Sequence, residues 1–327
     1  MRRRDFITLI GSAAAWPLVA RAQQLRPIRK IGVLVPAAPG SPQWRAYVNS
    51  FKEGLETLGW SDGQNVQIEE RWGADADEIR ARATELATMA PDVILAAAAS
   101  AAKPMHQETR TVAIVFANVP DPIANGIVTS LSRPGGNITG FANYEPKIAV
   151  KWLELLKQLA PGVTRVAFVH DPANPTVAAY LAAMQSAASS FGVQVFGAAV
   201  RNPEEIEHAI EALVREPNGG LVVPSGPATT SHQALVVALA ARHRLPSVHP
   251  TREAVEAGAL ASYGVDTKEL FRSAASYVDR ILKGEKPGDL PVQFASKFEL
   301  VINLKTARFL GLDPPLQLLA RTDAVIE

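Results

Sequence analysis

An α/β protein of two doubly wound, Rossmann-like lobes joined by three crossovers is what this sequence predicts, and three observations predict it. The chain has 327 residues, more than one core needs when domains typically hold roughly 100–200 residues. Short β-branched runs alternate with helical patterns, once as far as Phe141 and again from Arg165 to Tyr263; that order builds parallel sheets covered by helices. After Tyr263 the alternation breaks into pieces that extend neither series, which fits a chain re-entering the first lobe near Val265 and leaving it again near Pro291.

In order, Lys30–Val35 reads as a buried strand, and Pro42–Leu58 carries Tyr47, Val48, Phe51, Leu55 and Leu58 at helical spacing before Gly59. The pattern repeats as strand Asn65–Glu70 with helix Asp75–Met89, Asp92–Ala97 with Ser100–Thr109, Val112–Ala117 with Pro122–Leu131, and strand Asn137–Phe141. An amphipathic helix over Tyr144–Leu159 opens the second series. Its strands are Arg165–Val169, Val193–Ala198, Gly220–Val223, Ser247–Val248 and Leu260–Tyr263, separated by helices Pro175–Ser190, Pro203–Arg215, Thr229–His243 and Thr251–Glu256. Helix Thr267–Lys283, the breaker Gly284–Gly288, extended Pro291–Phe294, strand Phe298–Ile302 and helix Leu304–Leu310 close the chain. Lobe one therefore takes residues 28–141 and 265–291, and lobe two residues 142–264 and 292–327. Three crossings of this kind make a hinge.

Residues 1–22 are read as an export signal rather than as part of the fold. Arg2-Arg3-Arg4 precedes an uncharged stretch from Thr8 to Ala20, and Ala20-Arg21-Ala22 offers small residues at the minus-three and minus-one positions. The stretch is too short to span a bilayer and Pro17 interrupts it. Arg3-Arg4 followed by Asp5-Phe6-Ile7 resembles the twin-arginine signal. Cleavage after Ala22 removes Arg2, Arg3, Arg4 and Arg21 but only one acid, Asp5, taking the formal charge from +1 to −2. The absence of cysteine leaves no acceptor for an N-terminal lipid. The expectation is a freely diffusing periplasmic protein with no stable membrane insertion.

Composition excludes several functions. With 33 Lys plus Arg interspersed among 32 Asp plus Glu, no basic stripe is present to neutralise a row of phosphates, so nucleic acid is a poor partner. With no cysteine and no His-Glu-x-x-His pair among six histidines, structural zinc sets and thiol chemistry are unsupported. A serine nucleophile elbow also fails: Leu260-Ala261-Ser262-Tyr263-Gly264 and Val223-Pro224-Ser225-Gly226-Pro227 both lack the first glycine. Gly135-Gly136 precedes a strand and no Gly-Lys-Ser/Thr, so it reads as a tight turn rather than a phosphate loop. No catalytic residue, cofactor or metal is expected.

The run Phe116-Ala117-Asn118-Val119-Pro120-Asp121-Pro122 and then Leu131-Ser132-Arg133-Pro134-Gly135-Gly136-Asn137 resembles the substrate-binding proteins of ABC importers related to the tryptophan/tyrosine-binding group. The likeness continues through Lys151–Lys157, Asp171-Pro172-Ala173-Asn174-Pro175, Ala257–Asp266, Ile281–Pro287 and Leu300–Lys305, in the expected order. It implies a type I periplasmic binding protein fold, a small organic ligand such as an aromatic amino acid or related carboxylate, and delivery to permease subunits of an ABC importer. A sensor that presents its ligand to a chemoreceptor or kinase needs the same liganded shape; a motif-less periplasmic hydrolase is the remaining alternative.

In open α/β sheets ligands lie beyond the carboxyl ends of the strands, so two facing lobes place both sets of loops on one cleft. In lobe one these loops are Pro36–Trp44, Ala97–Ala101 and Asn118–Asp121; in lobe two they are His170–Asn174, Pro224–Ala228 and His249–Arg252. The candidate ligand-binding residues are Ala37, Trp44, Ser100, Ala101, Asp121, Asp171, Asn174, Ser225 and His249, with Tyr263 and Asp266 at a crossover. Ser100 is expected to cap a helix whose free N–H groups, including that of Ala101, suit a carboxylate, though an ordinary N-cap needs no ligand. Trp44, Tyr144 and Tyr263 offer faces for a planar ligand, with core packing as the rival use. Asp121 and Asp171 precede prolines and serve turns or bind an ammonium group. His249 and Arg252 are candidate cationic donors.

Overall fold

The computed structural model describes residues 28–327, so the export signal read at 1–22 lies outside the described residues. The first series is β1 (Arg29–Val35), α1 (Pro42–Thr57), β2 (Val66–Trp72), α2 (Ala76–Met89), β3 (Val93–Ala97), α3 (Ala98–Glu108), β4 (Ala113–Val119) and β5 (Ile138–Ala142). The second is α4 (Ile148–Leu159), β6 (Arg165–His170), α5 (Val177–Ala187), β7 (Gln194–Ala199), α6 (Pro203–Val214), β8 (Gly219–Val222), α7 (Pro227–Ser231), α8 (Gln233–Arg242), β9 (Ser247–His249), α9 (Arg252–Glu256) and β10 (Ala261–Val265). The chain ends in α10 (Thr267–Leu282), β11 (Gln293–Phe294), β12 (Phe298–Asn303), α11 (Leu304–Leu310), α12 (Leu316–Leu319) and β13 (Ala324–Ile326).

Two sheets result, ordered β11-β5-β4-β3-β1-β2 and β13-β12-β10-β9-β8-β6-β7. Every pairing is parallel except β10 with β12. Alternation within each strand explains the layering. Val33, Val35, Leu95 and Val115 face α1 and α10, whereas Leu34, Ile94, Ile114 and Phe116 face α2 and α3. In the second sheet Val166, Phe168, Val222 and Val248 face α4 and α5, and Ala167, Val169 and Leu221 face α6 and α8. Strands covered on both faces read as continuous apolar runs, which is why the sequence marks them.

Three expectations are corrected. Pro122–Leu131 is a chain of turns and not a helix, because Asp121 (φ 34°) and Gly126 (φ 68°) both take left-handed backbone that interrupts helical geometry. The helix expected at Thr229–His243 is broken at His232 into α7 and α8. The third crossing falls later than Pro291, since Gln293 and Phe294 pair with Phe141 and Ala142 of the first sheet. The crossovers are therefore Asn143–Lys147, Asp266 and Ala295–Lys297. The carboxyl end of β5 leads into the second lobe and that of β10 leads back into the first, so the strand ends of the two lobes face each other.

Candidate ligand-binding cleft

The crossovers are fastened to one another at the seam. The Asn143 backbone N–H donates to the Val119 carbonyl at 3.1 Å and its Nδ2 to Asn118 Oδ1 at 2.9 Å. The Tyr144 hydroxyl accepts from the Val265 N–H at 3.2 Å and faces the Pro250 carbonyl at 3.5 Å. Burial raises the phenol pKa of Tyr144, so it serves as a neutral donor and acceptor. The third crossing is held by Ala295 N–H to the Ala142 carbonyl at 2.9 Å and by the Lys297 ammonium on Asp266 at 2.9 Å.

Backbone strain gathers on the first lobe's side of this seam. Ala98 (φ 63°), Asn118 (φ 63°) and Asp121 (φ 34°) are left-handed non-glycine residues at the carboxyl ends of β3 and β4. Such conformations persist where the surroundings hold them and often mark ligand sites.

The structure brings most of the sequence-predicted residues to strand ends at this seam, with altered local roles. Ala37 follows β1 and donates its N–H to the Val35 carbonyl at 3.0 Å. Trp44, half-buried in the first turn of α1, packs edge-on against Tyr47 and Phe271 at 5.6 and 6.3 Å between centroids. Ser100 does not cap its helix: Ala97 takes that position, and exposed Ser100 and buried Ala101 lie in the first turn. The left-handed Ala98 starts the helix earlier than the Ser rule would place it. Asp121 accepts from the Ala124 N–H at 3.0 Å through Oδ1.

Asp171 is 6% exposed, and both carboxylate oxygens are taken, by the Ala173 and Ala228 N–H groups at 2.8 Å each, so it ties β6 to α7. Asn174 donates to the Ser225 carbonyl at 3.0 Å and accepts from Thr176; Ser225 itself is exposed. His249 is corrected from a cation to a neutral imidazole: it is 3% exposed, its Nε2 has no partner, and burial lowers its pKa to about 4. Arg252 is engaged by Glu256 and Glu299 at 2.9 and 2.7 Å. Tyr263 stacks on Phe298 at 5.4 Å, and its carbonyl accepts from Trp152 Nε1 at 2.7 Å. Asp266 caps α10 through the Glu269 N–H at 3.0 Å. Burial alone would raise its pKa, but the Lys297 hydrogen bond and the α10 N–H groups hold it below the ordinary value.

Side chains that the sequence does not single out also reach the seam. Gln43 donates to Glu253 Oε1 at 2.8 Å and to the Tyr47 hydroxyl at 2.9 Å. Tyr180 is 2% exposed with an unpartnered hydroxyl, and the Asp121 charge lies close enough to oppose its ionisation, with burial the larger cause of its rise to about 12. No short motif marks these side chains; only the fold brings them together. Among the described residues no cluster of His, Asp and Glu is arranged to hold a metal ion, and no helix is long and apolar enough to cross a membrane.

Residues 30–326 match the family described as ABC transporter substrate binding protein. The chain belongs to that family. It is thus a member of a substrate-binding family and not an enzyme. The tyrosine-binding protein of Clostridioides difficile (strain R20291) is 26% identical over 264 residues, covering 80% of this chain and 75% of that protein. Among solved structures, a domain in complex with L-Trp from Streptococcus pneumonia superposes with a TM-score of 0.82 at 27% identity, over 91% of this chain and 99% of the other. The ligand-free, open structure of a substrate-binding protein with adhesive properties from Clostridium difficile gives 0.76 at 26% identity, over 91% and 99%. A glucose-galactose binding protein from Geobacillus stearothermophilus gives 0.62 at 14% identity and shows the shared fold alone.

Proposed function

We propose that this substrate-binding protein captures an aromatic amino acid between its lobes, closes on it and presents the closed form to the permease of an ABC importer. The observation that carries the reading is the likeness over 91% of the chain to a domain holding L-Trp, joined by the tyrosine-binding relative. Aromatic side chains at the seam agree with it: Trp44, Tyr47, Tyr144 and Tyr263 are only partly covered and offer faces to a planar group. The ligand is held from lobe one by Ala37, Trp44, Ser100, Ala101 and Asp121, and from lobe two by Asn174 and Ser225, with Tyr263 and Asp266 at the hinge. Closure follows because the ligand touches both lobes only when they meet, so binding shifts the population toward that state. The precursor is exported to the periplasm and cleaved after Ala22.

The test is calorimetric titration of the mature chain with L-Trp and L-Tyr, with L-Leu and a hexose as controls. Saturable heat with the aromatic amino acids is expected. Trp44 fluorescence should change with it, and the change should be absent from Trp44→Phe. No heat at millimolar aromatic amino acid rejects the ligand class.

A further inference from the structure

A side-chain contact beside the crossovers joins a helix of one lobe to a helix of the other, and its partners stand 210 residues apart in sequence. Gln43, in the first turn of α1, donates through Nε2 to Glu253 Oε1 of α9 at 2.8 Å. Among the hydrogen bonds of the described residues, no other links a side chain of a lobe-one helix to a side chain of a lobe-two helix. Both ends are mounted firmly. Gln43 also reaches the Tyr47 hydroxyl at 2.9 Å, and Tyr47 stacks on Phe271 of α10 at 5.5 Å. Next to Glu253, Arg252 is tied to Glu256 on its own helix and to Glu299 of β12. Glu253 itself has no cationic partner among the described residues, so the Gln43 amide is what answers its charge.

We propose that Gln43 and Glu253 form an interlobe latch, a pair of positioning residues that favours the closed form before ligand arrives and slows ligand escape afterwards. The second half rests on the ligand-binding role proposed above; the first does not. A bond that exists only when the lobes meet acts on the open–closed equilibrium in full and on neither lobe's own stability. An exposed hydrogen bond to a charged group, discounted for solvent screening, shifts that equilibrium about two- to tenfold.

The experiment uses the full mature chain, which has no cysteine of its own. Ala74→Cys, just past edge strand β2, and Ala199→Cys, the last residue of edge strand β7, both exposed, carry a spin-label pair. In ligand-free protein a short-distance population is expected, reduced about two- to tenfold in Gln43→Ala and in Glu253→Ala. The double variant should add nothing to either single one, and Glu253→Gln, which keeps an acceptor, should fall between. Melting temperatures should stay together, which a merely structural role for α9 would not allow. With L-Trp present, dissociation should quicken by a similar factor while association holds. Distances unchanged in either single variant, additive effects in the double variant, or a ligand-free wild type that is open throughout would overturn the latch. Failure of L-Trp to bind counts against the ligand class, and the ligand-free distances still decide the latch.

Discussion

A histidine sealed inside the second sheet converts burial into a pH dependence. His249 lies beside Ser262 across the β9–β10 pairing, and its pKa of about 4 stands well below the ordinary 6.5 because burial disfavours the imidazolium. Between those values the unfolded chain binds a proton that the folded chain refuses, so stability is complete above pH 6.5 and falls as pH drops toward 4. At about 1.4 kcal/mol per pH unit, the loss by pH 4.5 is about 2–3 kcal/mol. His170 is shifted the same way by burial and adds to the slope. Urea unfolding at pH 7 and 4.5 should show that His249→Asn loses distinctly less stability over this interval than the wild type; equal losses would refute the assignment. Gly264 poses a steric limit of a different kind. A Cβ there would sit 1.7 Å from the Pro250 carbonyl oxygen, which is backbone, and 3.0 Å from the Tyr144 hydroxyl. Gly264→Ala should therefore cost roughly 2 kcal/mol or more by thermal or chemical denaturation. Gly162→Ala, whose new methyl group meets nothing within 4 Å, should be nearly neutral.

Among the elements, α10 completes the first lobe's core, and its start is built from a crossover residue. Asp266 caps the helix through Glu269 N–H and holds Lys297 of the third crossing. Asp266→Ala should cost about 1–2 kcal/mol, as expected for a lost cap. Asp266→Asn keeps the cap and loses the ion pair, whose Lys297 side chain is 64% exposed, so its cost should stay below about 1 kcal/mol. Sequence makes such elements legible where burial imposes a period. The apolar stripe of α1 and the continuous runs of β3 and β4 place those elements to within two residues or so. Legibility ends where burial sets no period. β11 has two residues and acquires its identity only by pairing with β5; β13 is a three-residue edge strand. Within the candidate site, the carboxyl-end rule selects loops that meet at the seam, and Asp-Pro correctly signals a turn at Asp171. The Ser100 cap fails because the helix start is decided by Ala98, whose left-handed backbone no local propensity favours. Gln43 lies inside the Pro36–Trp44 loop and Glu253 directly after His249–Arg252, yet nothing local marks them as partners, since their pairing exists only after both lobes fold and meet.

At the scale of the molecule, neither lobe is contiguous in sequence, and this dictates how the protein can be divided. The first sheet is completed by β11, and its outer face by α10, both of which follow the whole second series. Leu270, Phe271, Ala274, Tyr277 and Val278 of α10 share one buried cluster with Val48, Phe51 and Leu55 of α1. The helices come so close that a Cβ on Gly54 would lie 2.8 Å from the Arg272 carbonyl oxygen. Burying each large apolar side chain contributes about 1.5–3 kcal/mol, so removing α10 forfeits an amount comparable with the roughly 5–15 kcal/mol that holds a whole domain together. A fragment spanning 28–264 contains every strand of the first series and should nevertheless fail to fold. It should bind a hydrophobic dye strongly and melt without a cooperative transition, and co-expression with 265–327 should restore a sharp one. A cooperative transition in the isolated fragment would mean that the crossovers serve only to tether two finished lobes. The hinge would then be separable from the core, whereas the present packing makes the helix that leaves the hinge part of the core it moves.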